Sequence, residues 1–255
     1  MTARILVTGA AGGIGAATAA ALRGRGCTVT GLDLLATSDG VLACEVRDAA
    51  QVAIVVGAAI DAMGGLDVLI NCAGVGDVQG AGDPPDADAL ALLDVNFFGS
   101  WRVTAAALPA LRASRGRVVN VASGLVFLTL PFAAAYCASK RALVAYSDAL
   151  RLEHGDAVTV TTVYPGYIRT AIHARPAAKG LSLEGLVPAE RLDNAVDTLV
   201  RAALGRPRRD MATTRRGAVA HALLRTLPPR WVDRAVITAM RRVRSRGSGV
   251  ATRAA

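Results

Sequence analysis

The chain has 255 residues, 53% of them hydrophobic, which is enough to bury the core of one large domain and excludes an intrinsically disordered chain. It contains no run of about 18 apolar residues and no basic and apolar leader before the first predicted strand, so we predict a cytoplasmic protein, neither transmembrane nor secreted. The net charge of +9 comes from the end of the chain: residues 201–255 hold 14 arginines against two acidic residues, whereas residues 1–200 hold 15 basic and 18 acidic groups.

Short β-branched runs alternate with longer alanine-rich segments, a pattern that favours βαβ units around a parallel sheet. The predicted strands are Arg4–Thr8, Thr28–Asp33, Val41–Glu45, Asp67–Asn71, Arg117–Val121, Thr159–Val163 and, as a weaker candidate, Asp210–Thr214. The predicted helices are Gly13–Arg25, Ala49–Met63, Ala87–Arg112, Ala135–Glu153 and Pro188–Leu204. The fold class is therefore α/β, a single-domain Rossmann-type doubly wound parallel sheet with helices on both faces.

The first predicted strand leads through a glycine-rich turn directly into a helix. Gly9, Gly13 and Gly15 stand at a GxxxGxG spacing, and such a turn lets the N–H groups of a helix N-terminus approach a pyrophosphate. Asp33 closes the next strand, 18 residues after Gly15, where a carboxylate can bind an adenosine ribose and repel a 2′-phosphate. We predict a dinucleotide site that prefers NAD; the alternative for Asp33 is a solvated acid at a strand end.

Polar side chains further along the chain stand at spacings suited to acid/base chemistry. Tyr136 and Lys140 share one face of a predicted helix, and Ser123 lies 13 residues before the tyrosine. The other motifs are Asp94-Val95-Asn96, Asn71-Cys72-Ala73-Gly74 and Pro165-Gly166 through Thr170. In identity and order these motifs resemble those of the short-chain dehydrogenase/reductase family, and the resemblance covers about residues 3–204.

The resemblance implies a mechanism of hydride transfer between a secondary alcohol or its ketone and NAD. Tyr136 would be the general base in oxidation and the general acid in reduction, Lys140 would lower its pKa, and Ser123 would stabilise charge on the substrate oxygen. Asn96 would hold a water of the proton relay. The residues implied to bind the cofactor are Gly9, Gly13, Ile14, Gly15, Asp33, Asn71, Ala73, Gly74, Tyr136, Lys140, Pro165, Gly166, Ile168 and Thr170.

Three features depart from the family pattern. Cys72 replaces the second asparagine of an NNAG motif, which should leave the backbone role of that turn intact. Glu45-Val46-Arg47-Asp48 stands where many members have DVxD, and we expect Asp48 to cap the following helix. The chain also lacks the VDGG-like finish of many bacterial members and continues instead into an arginine-rich extension.

The arginine-rich end of the chain continues beyond the segment that resembles the family. We interpret residues 1–209 as the NAD-binding and catalytic domain and residues 210–255 as a basic helical extension of it, with helices at Gly217–Leu227 and Arg230–Val243. The extension could pack on the domain or on a partner subunit, or it could contact an anionic membrane through residues 217–246. Nucleic acid is a weaker alternative, because no binding motif accompanies the charge.

Two further segments bear on the substrate. Thr170–Pro188 follows the sixth strand with weak periodicity and is a candidate lid. Gly124–Leu130 carries no charge and, unless it is ordinary core, predicts an apolar wall for a lipophilic alcohol or ketone such as a steroid, retinoid-like or long-chain molecule. His154 and His221 have no acidic or cysteine partners that would argue for metal, and we predict no metal site. We expect His173, in the candidate lid, to be a surface or packing residue rather than a catalyst.

The resemblance also implies assembly. Family members are commonly dimers or tetramers through two long helices, here Ala87–Arg112 and Ala135–Glu153, so we expect a homodimer or homotetramer. An alternative function of a different class is a dinucleotide-responsive regulatory protein that its basic extension recruits to a membrane or nucleic acid. The presence of Asn96, Ser123, Tyr136 and Lys140 together argues against it, because a sensor does not need all four side chains.

Overall fold

A sheet of seven parallel strands forms the centre of the computed structural model, which describes residues 2–180, 184 and 187–239. The sheet has the order β3-β2-β1-β4-β5-β6-β9. Its strands are β1 (Arg4–Thr8), β2 (Thr28–Asp33), β3 (Val41–Ala43), β4 (Val68–Asn71), β5 (Arg117–Val121), β6 (Thr159–Tyr164) and β9 (Asp210–Ala212). A separate parallel pair joins β7 (Tyr167–Ile168) to β8 (Ala189–Glu190). The strand order reverses between β1 and β4, and ligands of such sheets bind in the crevice that this reversal opens.

Helices cover both faces of the sheet. They are α1 (Gly13–Arg23), α2 (Ala49–Met63), α3 (Ala87–Leu93), α4 (Ser100–Ser114), α5 (Ala134–His154), α6 (Ala174–Ala178), α7 (Leu192–Leu204) and α8 (Arg215–Thr226). A π-helical turn, Asp94–Gly99, joins α3 to α4, and residues 229–239 are also helical. Helices α1 and α7 pack together on one face, while α2, α4 and α5 lie on the other. The predicted doubly wound fold is confirmed.

The middle residues of β1 and β4 are all apolar because each face of the sheet is covered. Leu6, Leu69 and Val118 point into the core beneath α2 and α4, whereas Ile5 and Ile70, their neighbours along the same strands, point into the core beneath α1 and α7. All five side chains are at least 99% buried. Alternate residues of one strand thus serve two separate apolar layers, and this rigid sandwich holds the loops at the strand ends.

Several predicted boundaries need correction. The single helix predicted over Ala87–Arg112 is interrupted by the π turn, and the helix predicted to begin at Pro188 begins at Leu192 because Ala189–Glu190 pairs as β8. The third strand ends at Ala43, two residues before the predicted end. Asp48 caps α2 as expected, since its carboxylate accepts hydrogen bonds from the amides of Ala50 and Gln51.

The beginning of the arginine-rich extension is part of the sheet. The weaker strand candidate is present as β9, which pairs with β6 through Val163 and Met211. The helix predicted at Gly217–Leu227 is present as α8, two residues earlier at its start. The second predicted helix, Arg230–Val243, is helical up to residue 239, and the rest of it lies outside the described residues. We refer below to residues 213–239 as the cap.

Candidate active site

The glycine-rich turn between β1 and α1 lines a cleft of about 1530 Å³ at the carboxyl ends of the strands. Gly9 and Gly13 have φ values of +70° and +52°, a backbone region that favours glycine. A Cβ at Gly15 would overlap the carbonyl oxygen of Gly9, so this close approach of helix and strand requires a glycine. Because Gly12 has no side chain with which to cap α1, the first-turn N–H groups of the helix remain suited to a pyrophosphate.

Asp33 lies at the cleft end of β2, as the sequence predicts. Its two carboxylate oxygens accept hydrogen bonds from the amide of Ala11 in the glycine-rich turn, at 2.9 Å, and from the amide of Leu34, at 2.8 Å. These bonds hold the carboxylate beside the glycine-rich turn, and its position fits hydrogen bonds to a ribose diol. Asp33, the glycines and the uncapped helix together form a donor and acceptor set that fits a dinucleotide.

Thr8, which sequence reasoning missed, ties the loop after β4 to the end of β1. Its hydroxyl oxygen accepts hydrogen bonds from the backbone amides of Cys72 and Ala73, both at 3.0 Å. This places Ala73 and Gly74 in the cleft wall through their backbone. The Cys72 side chain takes no part in the bonds, which agrees with the expectation that this departure leaves the turn intact. A polar residue at the end of an otherwise apolar strand was the signal available in the sequence.

Tyr136, Ser123 and Lys140 meet in the cleft. Tyr136 and Lys140 lie one turn apart on α5, and Ser123 lies near enough to the Tyr136 hydroxyl to act on its pKa. The Lys140 ammonium donates a hydrogen bond of 3.0 Å to the carbonyl of Val121, two residues before Ser123 at the end of β5. The geometry therefore offers a carbonyl or hydroxyl substrate two hydroxyl groups at one point, with a cation behind them.

Burial shifts the pKa values of both Tyr136 and Lys140. Burial raises the pKa of Tyr136, and its hydrogen bond with Ser123 opposes the rise only in part. Burial also lowers the pKa of Lys140, to about 8. Desolvation is the largest effect on the phenol, and the lowering of its pKa by Lys140 stays a prediction. A protonated Tyr136 is suited to donate a proton, as carbonyl reduction requires.

Asn96 lies behind the cleft lining. It is fully buried in the π turn, where its Oδ1 accepts from the amide of Val75 at 2.8 Å. Its Nδ2 donates to the carbonyl of Val75 at 3.0 Å and to the hydroxyl of Ser139 at 3.1 Å. Through these bonds Asn96 positions the Gly74–Val75 backbone against α5, and its role in holding a relay water stays a prediction.

Asn71 also lies behind the cleft lining, and its assignment as a cofactor contact stays a prediction. Its Nδ2 donates to the side-chain oxygens of Thr104 and Asn120, both at 2.8 Å, and Asn120 in turn donates to Ser147 at 2.8 Å. These buried side chains link β4, β5, α4 and α5. The network stabilises the frame of the site, because buried polar groups are retained only when they are hydrogen-bonded.

The candidate lid crosses the cleft after β7. Ile168 and Thr170 line the cleft, as do Pro165 and Gly166 before them. At the far end of this segment the ammonium of Lys179 lies 2.8 Å from Asp77 and 3.4 Å from Asp88, both of which follow β4 in the chain. The Asp77 side chain is only 5% exposed. We call the Lys179–Asp77–Asp88 contact the latch, since it fastens residues 170–180 to the opposite edge of the cleft.

The cap supplies a wall of the cleft that sequence reasoning missed. The cleft-lining residues of α8 are Arg216, Gly217, Ala220, His221 and Leu224, of which the last four have the spacing of one helix face. The His221 ring packs on the Phe127 ring with 4.4 Å between centroids. The Arg225 guanidinium lies over the Phe127 ring, 4.8 Å from its centroid. Val236 packs against the cluster around Leu130. The predicted apolar loop Gly124–Leu130 does line the cleft, and the cap closes over it.

Glu190 fastens the cap to the loop after β6. Its carboxylate accepts hydrogen bonds from the hydroxyls of Thr213 and Thr214, the latter at 3.1 Å, and from the amide of Gly166 at 3.3 Å.

Burial lowers the pKa of His221, and this favours its neutral form. Burial lowers the pKa of His173 as well, and its ring packs edge-on against Tyr167, as expected of a packing residue.

Metal and membrane features are also absent from the part of the chain that the structure describes. Over residues 2–180, 184 and 187–239, no group of three or more histidine, cysteine, aspartate and glutamate side chains could hold a metal ion. No helix in these same ranges combines the length and the apolar character needed to cross a bilayer. All four cysteines are free thiols, at positions 27, 44, 72 and 137.

Comparison with protein families and known sequences gives consistent results. A family model described as short chain dehydrogenase matches residues 3–179. A D-threitol dehydrogenase from Mycolicibacterium smegmatis is 34% identical over 204 residues, which cover 73% of this chain and 78% of that protein. The 11-beta-hydroxysteroid dehydrogenase 1A of Arabidopsis thaliana is 41% identical over 110 residues, but the match spans 43% of this chain and only 32% of that protein.

Solved structures resemble the chain over most of its length. A short chain dehydrogenase from Burkholderia cenocepacia J2315, crystallised in complex with NADP, superposes with a TM-score of 0.77 at 26% identity. The match covers 92% of this chain and 98% of that one. The ligand-free aldohexose dehydrogenase of Thermoplasma acidophilum shares the fold, with a TM-score of 0.74 at 22% identity over 83% of this chain and 92% of that one.

Proposed function

Because this chain belongs to the short chain dehydrogenase family, we propose that it is an NAD(H)-dependent oxidoreductase that interconverts an apolar secondary alcohol and its ketone. Membership of the family makes it a dehydrogenase that acts on hydroxyl groups with a nicotinamide dinucleotide. The observation that carries the proposal is the meeting of Ser123, Tyr136 and Lys140 in one cleft, with Lys140 one helical turn from Tyr136.

Different groups of the proposed cofactor residues contact different parts of the dinucleotide. The Gly9–Gly15 turn and the N-terminus of α1 hold the pyrophosphate, and Asp33 accepts hydrogen bonds from the adenosine ribose. Ala73 and Gly74, together with Pro165, Gly166, Ile168 and Thr170 of the opposite wall, contact the nicotinamide half. The carboxylate of Asp33 supports NAD over NADP because it repels a 2′-phosphate. When bound, the dinucleotide supplies or accepts the hydride.

The chain's own residues handle the proton. In the reducing direction Tyr136 Oη donates its proton to the carbonyl oxygen of the substrate, and Ser123 Oγ donates a second hydrogen bond to the same oxygen. The positive charge of Lys140 stabilises the phenolate that remains. In the oxidising direction the phenolate takes the hydroxyl proton back. Asn96 acts indirectly on the site, because it holds the Gly74–Val75 turn against α5.

The proposed substrate is apolar because the wall facing the reacting hydroxyls is apolar. Leu125, Leu128 and Leu130 of the loop after β5 and Leu224 of the cap line it. In this proposal residues 210–255 belong to the same domain as residues 1–209, since their described part supplies strand β9 and this wall. A small polyol such as threitol would leave these side chains without apolar partners.

The test is titration of the purified protein with NADH and NADPH, followed by turnover at the nicotinamide absorbance band. We expect tighter binding of NADH, loss of that preference in Asp33→Ser, and turnover of lipophilic secondary alcohols or ketones. Preference for NADPH by the wild type would overturn the assignment of Asp33. Turnover of D-threitol or an aldohexose in preference to every apolar compound would overturn the substrate class.

The proposed assembly is a homodimer or homotetramer through α4 and α5. Trp101 stacks on Tyr146 with 4.9 Å between centroids and is still 46% exposed, next to Phe98 at 44%. Exposed aromatic side chains on adjoining helices are typical of an interface between subunits. Light scattering should give a mass above that of one chain, and Trp101→Glu should reduce it. A monomeric wild type would contradict the assembly.

A further inference from the structure

The cap carries apolar side chains on the side that faces away from the cleft. Their exposed fractions are 60% for Val219, 53% for Leu223, 39% for Leu227, 57% for Trp231 and 46% for Ile237. On α8, Val219 and Leu223 stand two residues before and after His221 and so point about 160° away from it around the helix axis. The inner face packs on the domain and lines the cleft. The outer face is an apolar strip that the described residues leave in solvent.

The segment that carries this strip is rich in arginine. Residues 215–239 contain five arginines, at positions 215, 216, 225, 230 and 234, against the single acid Asp233. The sequence adds five more, at positions 241, 242, 244, 246 and 253, and no further acid. Residues 1–200, in contrast, carry a small net negative charge. The positive charge of the molecule is therefore concentrated in the segment that holds the exposed tryptophan, isoleucine and leucines.

We propose that the outer face of the cap docks on the surface of a bilayer that contains anionic phospholipid. The apolar strip enters the boundary between headgroups and acyl chains, with Trp231 at the level where its amphipathic ring is most favourable. The arginines pair with lipid phosphates, which a polybasic surface attracts electrostatically. Charge complementarity favours an anionic membrane over the other possible partners. A second copy of the cap would place arginines opposite arginines. Nucleic acid would neutralise the arginines but would leave Leu223, Trp231 and Ile237 without apolar contacts.

Docking in this orientation places the cleft beside the membrane. The same helix, α8, contributes His221 and Leu224 to the cleft wall on its inner side and Val219 and Leu223 to the docking face on its outer side. An apolar alcohol or ketone dissolved in the bilayer would then need to cross only the cap to reach Tyr136. This consequence for substrate delivery rests on the proposed function, whereas the docking itself does not.

The test is co-sedimentation of the full chain with vesicles of phosphatidylcholine alone and of phosphatidylcholine mixed with phosphatidylserine, without cofactor or substrate. We expect binding to the mixed vesicles that weakens as salt is added. The double variant Leu223→Gln/Trp231→Gln should bind about tenfold or more weakly, because affinity scales with the apolar area that enters the interface. Ile54→Gln is the matched control, since Ile54 is 71% exposed on α2, outside the cap, and its replacement should leave binding unchanged.

Charge is tested in the same way. Arg230→Gln/Arg234→Gln should weaken binding to the mixed vesicles, whereas Arg112→Gln/Arg115→Gln, which removes the same charge from the end of α4, should not. Absence of wild-type binding to mixed vesicles, or equal loss in the cap variants and their controls, overturns the proposal. So does a loss of oligomer mass in Leu223→Gln/Trp231→Gln, or binding to duplex DNA in place of vesicles. Vesicle binding without turnover of any alcohol would overturn the proposed function alone.

Discussion

The two sides of the cleft are built in different ways. On the glycine-loop side, at the ends of β1, β2 and β4, backbone groups form the surface and a few short bonds hold them: Thr8 accepts from two amides of the next loop, and Asp33 accepts from the glycine-rich turn. On the cap side, the surface consists of side chains from residues 124–130, the lid and the cap. Contacts such as Lys179 with Asp77 and His221 with Phe127 hold that side.

Because of this difference, the two sides of the cleft should respond differently to mutation. Backbone surfaces tolerate a change of side chain unless the new atoms meet the backbone itself, as they would at Gly15. Side-chain surfaces change shape and polarity with every substitution. We therefore expect mutations on the glycine-loop side to act on stability or on cofactor binding in an all-or-none manner. Mutations on the cap side should act in graded steps on the substrate.

The largest effect is expected where the two sides meet, at Tyr136. Tyr136→Phe removes the proton donor but keeps the ring, so turnover should fall by about 10³-fold or more. Binding of NADH should persist, because the glycine-loop side is untouched. Measurement of kcat beside an NADH titration checks both. Tyr146→Phe, on the same helix but outside the cleft lining, is the control and should retain activity.

The outcome for Tyr136→Phe also separates an enzyme from a regulatory binding protein. If turnover of the wild-type substrate were unchanged in Tyr136→Phe, the proposed proton donor would be wrong. If the wild type bound NADH without turnover of any compound and the variant had the same biological effect, the dinucleotide-responsive regulator would be the better description.

The next largest effect should follow from a methyl group added to the glycine-loop side. The Cβ of Gly15→Ala overlaps the Gly9 carbonyl, so we expect a loss of about 1–3 kcal/mol in the free energy of unfolding, together with loss of NADH binding. Gly12→Ala is the matched control, since no atom lies within 4 Å of its Cβ position. Thermal denaturation of both variants decides the matter: equal melting temperatures would show that the tight packing at Gly15 is not required.

A graded effect is expected on the cap side when the latch is removed. In Lys179→Met, Asp77 loses its ammonium partner at 2.8 Å and the lid is no longer fastened. KM for the substrate should rise several-fold, with a smaller change in kcat. Arg209→Met is the control: its ion pair with Asp148 lies outside the cleft lining and is 61% and 41% exposed, and loss of such a pair should change KM by less than about twofold.

The latch also predicts a pH dependence. Burial acts to raise the pKa of Asp77, but hydrogen bonds from Lys179 and the Val78 amide, with Arg175 nearby, hold it below the ordinary value. The pKa of Lys179 is raised, mainly by its bond to Asp77. The latch should therefore be complete between about pH 4 and pH 10 and be lost as the pH falls through the lowered pKa or rises through the raised one. A KM profile of Lys179→Met parallel to that of the wild type at both ends would contradict this.

The smallest effect is expected for Cys72→Ala. The thiol is neutral at ordinary pH, since burial raises its pKa to about 11, and it is the backbone amide of Cys72 that bonds to Thr8. NADH affinity should change by less than about twofold. A large loss of affinity in an NADH titration would show that side chains matter on the glycine-loop side as well, and would weaken the distinction between the two sides.

The sequence was sufficient for elements that depend on local patterns. The bounds of β1, β2, β5 and α2 agree with the predicted ones, because an apolar run, a glycine turn or the Asp48 cap marks their ends. The spacing of Tyr136 and Lys140 was enough to place both on one helix face. Thr8, the strand-end partner of two amides, could have been found in the same way, as a polar residue closing an apolar strand.

Other features depend on partners distant in the chain and could not be predicted. Asn96 and Asn71 are asparagines in motifs that suggest ligand contact, yet each is buried against residues of other elements: Val75 and Ser139 for one, Thr104 and Asn120 for the other. The packing of His221 on Phe127 joins two segments nearly a hundred residues apart. Periodicity shows that α8 is amphipathic but does not say which of its faces meets the domain.

The π turn at Asp94–Gly99 has a consequence for changes in chain length. A π turn holds one more residue than the α-helical turn that would replace it, so the helices on either side stay in phase despite the insertion. Deletion of one residue within 94–99 would let the helical stretch close up as a regular helix with its outer faces unrotated. A deletion elsewhere in α3 or α4 would turn one end of the stretch by about 100° relative to the other. A deletion of one codon in this turn would therefore preserve the relative orientation of the outer faces of the two helices. The same deletion would displace Asn96.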